Sequence, residues 1–426
     1  MNLSHLKPIP AGALVFVTGP SGSGKTQALS IISDLLPPGG QLAQPSIDLN
    51  RPLIDGWNIG PKEAIQRLTA VGLGDPVTWV RTPGELSVGQ AQRLALADLL
   101  ASDGNVIIID EFLAGLDRLT AKAVAWTTQR AIRKAGKTAV LITANDDLIE
   151  DLAPEIVITC NWSPEPVIGT TDDPLPSSTI SREISYRKGS TMDWLALKHL
   201  HYAAGNPATY HSIHCLDHPE CEGPVAVMVL SYPDLHSAAR NLATRGRYLT
   251  GNQNENAKRV NREVRRMSRI VVVPELRQTG LAARLIREAA SKVDCRYIET
   301  STAMGPFTSF CERAGFQSIP QERSRPEGDW VGFLIENSLP AITALSSIAL
   351  AEWISKLSVR RTRTGRQLIW ALYHHLVLHR RTRKKKPSRV PPADDPQWPD
   401  AFALAAVRAT SRPTYYIMPI KHPESE

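Results

Sequence analysis

At 426 residues, with 42% hydrophobic and 21% charged side chains, the chain is too long for one ordinary core and too apolar for wholesale disorder. Two or three folded domains are expected. No apolar run reaches the roughly 18 residues that a membrane span needs, and the opening MNLSHLKPIP lacks the basic-then-apolar layout of a secretory leader. A cytoplasmic protein with no membrane partner is the expectation. Five scattered cysteines (Cys160, Cys215, Cys221, Cys295 and Cys311) argue against a disulfide framework. The net charge of +7 is uneven: twelve Lys or Arg and no acid lie between Lys356 and Arg389, which leaves the rest of the chain at −5. Such local basicity marks a surface that meets polyanions.

Residues 1–165 alternate short apolar runs (ALVFVTG, VIIID, AVLIT, EIVIT) with helix-like stretches, the pattern of a parallel sheet covered by helices. The first run leads into GPSGSGKT, that is Gly19, Pro20, Ser21, Gly22, Ser23, Gly24, Lys25 and Thr26, and a helix-like QALSIISDLL follows. This is the context of a phosphate-binding loop. Glycines let backbone N–H groups turn inward around phosphate oxygens, Lys25 neutralises the β and γ phosphates, and Thr26 offers a hydroxyl to Mg2+.

Two further segments resemble motifs of ABC-type ATPases. LSVGQAQRLALADLL, from Leu86, resembles the ABC signature and its helix, and VIIIDEFLAGLD resembles the Walker B strand with its downstream aspartate loop. The resemblance implies that Asp110 holds Mg2+ through water and that Glu111 polarises the attacking water. It implies that Ser87, Gly89 and Gln90 contact ATP on the loop of a second copy, so that two chains act as a homodimer. The sequence departs from the family in three places. Only about 67 residues separate Gly19 from Leu86, which shortens the helical region that couples to membrane partners. Asn145 stands where the family places a switch histidine, and an amide cannot carry a proton. Gln44 is the best candidate for the Q-loop, and no obvious aromatic precedes the phosphate loop to stack on adenine.

A stretch rich in Pro, Ser, Thr and Asp, SPEPVIGTTDDPLPSST, follows, and residues 166–183 read as a linker. From 184 to 335 a second mixed pattern runs, with strand candidates at PVAVMVLSY, SRIVVVP, CRYIETS and DWVGFLI. Here a strand ending at Val273 leads to Arg277, Gln278, Thr279, Gly280, Leu281 and Ala282 and then to a helix. That layout resembles the acyl-CoA loop of the GNAT acyltransferase superfamily, and SFCERAGF resembles its following motif. The resemblance implies acetyl-CoA or another acyl-CoA as a cofactor, its pyrophosphate on amides at a helix start. Cys311 occupies the position where the superfamily places a proton-donating tyrosine; donor and buried filler are both open readings. Glu299 is the candidate base, with an ordinary strand carboxylate as the alternative.

His214, Cys215, His218 and Cys221 form a tight group that is either a structural zinc site or part of an acceptor pocket. Residues 336–426 form a basic extension with an apolar helical segment, a Pro-rich break and a closing YYIM strand candidate. The stretch 360–389, with AKRVNREVRRMSR at 257–269, points to a nucleic acid partner, the alternatives being a solvated tail or an anionic-membrane contact and, for 257–269, the 3′-phosphate of CoA. The expected fold class is therefore α/β: a P-loop ABC-type ATPase domain, then a GNAT-like α+β domain, then the basic extension. The order of the two resemblances is similar to a group of predicted ABC ATPase and acetyltransferase fusions, with a more distant similarity to phage Mom-type DNA base modifiers. It implies an ATPase coupled to acylation of a DNA or RNA base. The alternatives are a nucleic-acid-binding regulator with a non-catalytic second domain, or a protein N-acyltransferase.

Overall fold

A computed structural model describes residues 3, 6–57, 59–171, 178–201, 205–305, 308–320, 324–339, 343, 346–378, 389–410 and 413–420. The chain opens with β1 (Leu14–Thr18), a glycine turn and α1 (Lys25–Asp34). Two short helices, α2 (Pro61–Ala70) and α3 (Pro76–Trp79), fill the stretch before α4 (Val88–Ala101). Next come β2 (Val106–Ile109), α5 (Arg118–Ala135), β3 (Thr138–Ile142), α6 (Ile149–Leu152), β4 (Ile156–Thr159) and β5 (Val167–Thr170).

These five strands form one sheet in the order β2-β3-β1-β4-β5, parallel except for β5, which runs antiparallel to β4. The side-chain period of two divides β1 between two cores. Val15 and Val17 face Ala28 and Ile32 of α1, and Leu14 and Phe16 face Ala121 and Val124 of α5. All four strand residues are fully buried, each contributing about 1.5–3 kcal/mol by leaving water. The helix α5 stops at Gly136, whose φ of 65° closes the turn at no steric cost.

The chain continues through α7 (Thr179–Glu183), β6 (Ser185–Gly189), α8 (Thr191–Leu197), β7 (Ser212–Asp217), β8 (Pro224–Ser231), α9 (Ala238–Ala243), α10 (Gln253–Glu263), β9 (Val264–Val272) and α11 (Leu281–Ala290). Beyond them lie β10 (Tyr297–Thr302), α12 (Phe310–Ala314), β11 (Gln317–Ile319), α13 (Arg325–Glu336), α14 (Ser347–Lys356), α15 (Val359–Tyr373), α16 (Trp398–Thr410) and β12 (Thr414–Pro419). Contacts divide the chain into two compact units, 1–57 with 64–231 and 267–293, and 58–63 with 232–266 and 294–426. Those units do not follow the expected boundaries at 165, 183 and 335. The expected linker itself carries β5 and α7 on either side of residues 172–177, which lie outside the described residues.

In the first unit, β6, β7 and β8 pair antiparallel in sequence, and Trp194 of α8 packs on Ile213, Val227 and Val271. In the second unit, β10 runs parallel to Val264–Arg266 and antiparallel to β12 along its whole length, and β11 pairs with the far side of β12. The closing YYIM segment is thus an inner strand. Helices α13 to α16 bury Trp330, Phe333, Ile354, Trp370, Trp398 and Phe402 in one core.

The strand expected at DWVGFLI is helical, forming most of α13. Ser324 caps it with Glu327 in a reciprocal pair and Pro326 sits in the first turn, while Trp330, Phe333 and Leu334 share the buried face at helical spacing. In the basic run at 257–269, Lys258 and Arg262 are exposed, whereas other cations are engaged within the fold. Arg265 is 7% exposed and donates to the carbonyls of Asn261 and Val264, and Arg266 pairs with Asp234. Of the run 360–389, residues 360–373 lie in α15, and residues 379–388 lie outside the described residues.

Candidate functional site

Parallel strands β1, β2 and β3 end on one edge of the sheet, and the candidate nucleotide residues sit there. Gly19 has φ 142° beside the Cys160 carbonyl; a Cβ at Gly19 would lie 2.1 Å from that oxygen, so only glycine fits. Gly22 (φ 77°) and Gly24 (φ 91°) are left-handed, and Gly24 caps α1. Lys25 Nζ donates to the carbonyls of Gly19 at 2.7 Å and Pro20 at 2.8 Å. The first amide to find a helical carbonyl is that of Ala28, on Gly24. The amides before it face the turn.

Asp110 and Glu111 follow β2 and are both exposed. The Glu111 amide donates to Asp110 Oδ1 at 2.8 Å, and Glu111 is held at φ 53°, an uncommon conformation for a glutamate. The Phe112 amide donates to the Ile142 carbonyl, tying this turn to the end of β3. There the partly exposed Asn145 donates its backbone N–H to Thr143 Oγ1 at 3.3 Å. Thr26 is exposed, while Thr18 Oγ1 and Ser23 Oγ are buried without hydrogen-bond partners. Oxygen donors of this kind suit Mg2+, with Thr26 and Asp110 as the residues that would hold it. Pro20 and Ser21 form the exposed rim of the loop.

Ser87 caps α4: its hydroxyl accepts the Gln90 amide at 3.3 Å and Gln90 Oε1 accepts the Ser87 amide at 3.1 Å. Ser87, Gly89 and Gln90 line one pocket with Arg93, Glu275 and Arg277. Arg93 carries no signal in the sequence, where it looks like any helix arginine. It is 5% exposed, and burial pushes its pKa down to about 10, a shift that Glu275 opposes and Arg277 reinforces.

The candidate coenzyme loop repeats the local plan of the nucleotide loop. After β9, the Val273 amide donates to the Val225 carbonyl. Arg277 Nε donates to Val272 O at 3.3 Å, and burial lowers its pKa against the pull of Asp75 and Glu275. Gln278 is left-handed at φ 68°, and the buried Thr279 hydroxyl donates to Leu276 O at 2.6 Å. Gly280 (φ 94°, ψ 0°) caps α11 much as Gly24 (φ 91°, ψ 19°) caps α1. Leu281 is buried and Ala282 half-buried; the first helical amide bond is that of Arg284 on Gly280.

The two acid–base candidates of the second unit are both committed to its core. Glu299 is 3% exposed, and its carboxylate accepts from Arg240 Nε and Nη2, each at 2.7 Å, and from Tyr415 Oη at 2.6 Å. Cys311 is 1% exposed, and burial raises its pKa far above the ordinary thiol range, with Glu312 adding to the shift. Arg240 carries no signal in the sequence, because a lone arginine has no spacing to read, and Tyr415 stands out only as part of the YYIM strand candidate.

The His and Cys group is not assembled as a metal centre. His214 and Cys215 alternate across β7. His214 Nδ1 lies 2.8 Å from Tyr186 Oη and its Nε2 2.8 Å from Ser212 Oγ, while Cys215 packs in the core beside Trp194. Among the described residues no group of three or more His, Cys, Asp or Glu is placed to hold a metal ion. No helix among them is long and apolar enough to cross a membrane.

No protein-family model matches the chain. It is 34% identical over 160 residues to an aliphatic sulfonates import ATP-binding protein of Pseudomonas fluorescens, covering 32% of this chain and 59% of the relative. It is 34% identical over 169 residues to a taurine import ATP-binding protein of Ruegeria pomeroyi, covering 33% of this chain and 61% of that one. The chain therefore spans less than two thirds of the length of these relatives. Among solved structures, a dimeric ATP-binding cassette in a post-hydrolysis state with ADP and Pi matches at 22% identity and TM-score 0.29, over 36% of this chain and 83% of the other. About a third of the chain is thus similar to import ATP-binding proteins.

Proposed function

We propose that the chain is an ABC-type ATPase coupled to an acyl-CoA-dependent acyltransferase-like domain, and that it acts on nucleic acid. The observation that carries this reading is the pair of loops at 19–26 and 277–282. Each follows a strand, places a left-handed glycine at a helix N-cap and leaves the first helical amides facing the turn. Such a turn is suited to phosphate oxygens, a triphosphate at one and a coenzyme pyrophosphate at the other.

For ATP, Lys25 would exchange the carbonyls of Gly19 and Pro20 for phosphate oxygens. Bound Mg2+, held by Thr26 and Asp110, would supply charge neutralisation at the phosphates. Glu111 would orient the attacking water, and Asn145 would donate a hydrogen bond without moving a proton. Ser87, Gly89 and Gln90 would complete the site of a second copy, making the active form a homodimer. The exposed arginines of α15 supply the polyanion contact.

A second reading has its own support. Glu299 and Cys311 are both buried, and Glu299 is engaged by Arg240 and Tyr415, which favours a coenzyme-binding domain without transfer chemistry in an ATP-dependent nucleic-acid-binding regulator. Incubation with labelled acetyl-CoA and DNA, RNA or cell protein, with and without ATP, separates the two. Label on nucleic acid that requires ATP supports the acyltransferase. Nucleic acid binding without label leaves the regulator, and label on protein alone moves the activity to protein amines.

A further inference from the structure

Three backbone carbonyls of the turn 274–278 are held by arginines of the ATPase segment. Arg93 of α4 donates from Nη1 to Pro274 O at 3.1 Å and from Nη2 to Glu275 O at 2.6 Å. Arg130 of α5 donates to Gln278 O at 3.2 Å. All of these residues belong to the first compact unit. Gly72 makes room for the first contact, since a Cβ there would lie 2.6 Å from Arg93 Nη1.

In a planar trans peptide the carbonyl and the following N–H point in opposite directions. A guanidinium on the Gln278 carbonyl therefore aims the Thr279 amide away from Arg130. Arg93 does the same for the Glu275 amide, and for the Leu276 amide that closes the turn on Val273 O at 3.1 Å. The fork of Arg93 grips two consecutive carbonyls, which a lysine ammonium could not do with the same fixed geometry. Arg93 also stands on the helix that Ser87 caps, about 9 Å along its axis, so a displacement of that helix start is carried rigidly to the turn.

We propose that Arg93 and Arg130 are positioning residues that set the amide geometry of the coenzyme loop. Through them, a nucleotide bound across Ser87, Gly89 and Gln90 and a coenzyme pyrophosphate at Gln278–Ala282 change each other's affinity. This rests on the two-loop reading above and adds to it the route of coupling. Linkage makes the effect reciprocal, and coupling between sites commonly amounts to about 5- to 150-fold.

The test is calorimetric titration of coenzyme A into the full chain, without nucleotide and with a saturating non-hydrolysable ATP analogue and Mg2+. The wild-type Kd for coenzyme A shifts by about fivefold or more between the two conditions. In Arg93→Lys, which keeps a buried cation but loses the fork, and in Arg130→Met, the ratio falls toward one. Unchanged thermal melting and analogue binding show that the variants are folded, and Arg130→Met, altered at a side chain that is not fully buried, stands in if Arg93→Lys is not. Equal affinity in both conditions for a wild-type chain that binds both ligands overturns the coupling and leaves the two-loop reading standing. A full wild-type ratio in both variants overturns the role of the arginines. Failure of coenzyme A to bind in either condition removes the coenzyme loop itself, and the coupling with it.

Discussion

Arg240 meets Glu299 fork to fork, with both nitrogen–oxygen distances at 2.7 Å and side chains only 1% and 4% exposed. Tyr415 adds a third donor, and burial followed by the Glu299 charge raises the pKa of that phenol. Removing one member of such a pair leaves a buried charge uncompensated, at about 3–5 kcal/mol. Glu299→Gln is expected to lower unfolding stability by that order, seen as a lower urea midpoint at constant slope. An Arg240→Met, Glu299→Leu double variant recovers most of the loss. If Glu299→Gln melts like wild type but loses acyl transfer, the carboxylate is a base after all.

The nucleotide loop gives a paired prediction. Lys25 holds two carbonyls that phosphate would replace, and a charged hydrogen bond contributes about 1.5–3 kcal/mol, so Lys25→Ala should weaken ATP binding by roughly ten- to a hundredfold. Glu111→Gln, at an exposed position, should retain ATP and accumulate as a dimer in light scattering. A Glu111→Gln chain that stays monomeric with saturating ATP argues against a site shared by two copies.

How much of this could be read from residues alone depended on whether a contact is local in sequence. GPSGSGKT and the turn at Asp110 were legible because each lies within a strand–turn–helix unit, and the order β2-β3-β1 then places them on one edge. The position of β12 between β10 and β11 was not legible, since its partners are more than a hundred residues away in the case of Glu299 and Tyr415. The helix at 325–336 is not legible as one, because its apolar residues, Trp330, Val331, Phe333, Leu334 and Ile335, form a run that fits either period. The cap at Ser324 decides it. Glu299 stands out by its place on a strand, but the arginine that neutralises it has no motif.

His214 sets a pH dependence. Burial, reinforced by His211 and Lys188, lowers its pKa from 6.5 to about 4. Its unfolded state therefore takes up a proton at higher pH than the folded state, so stability is full above about pH 6.5 and falls as pH drops toward about 4. The slope approaches about 1.4 kcal/mol per pH unit, or about 3 kcal/mol across the window. Denaturation midpoints between pH 7 and 4 should show this slope in wild type and a shallower one in His214→Gln. Equal slopes would place the acid sensitivity elsewhere.

The arginines at the start of α15 test the nucleic acid reading without confounding it with unfolding. Arg360, Arg361 and Arg363 are exposed in the first turns of the helix, where no acid accompanies them and where the helix dipole disfavours cations by a few tenths of a kcal/mol each. Their replacement by glutamine should leave melting unchanged or slightly raised. If they contact phosphates, each contact contributes about 0.9 to the slope of log affinity against log salt, so the triple variant should lose about 2.7 from that slope on duplex DNA. The loss should be the same for any sequence, because phosphate contacts carry no base information. A slope identical to wild type, in a variant that still binds, would make this helix start a solvated surface and place the polyanion contact on other cations of the chain.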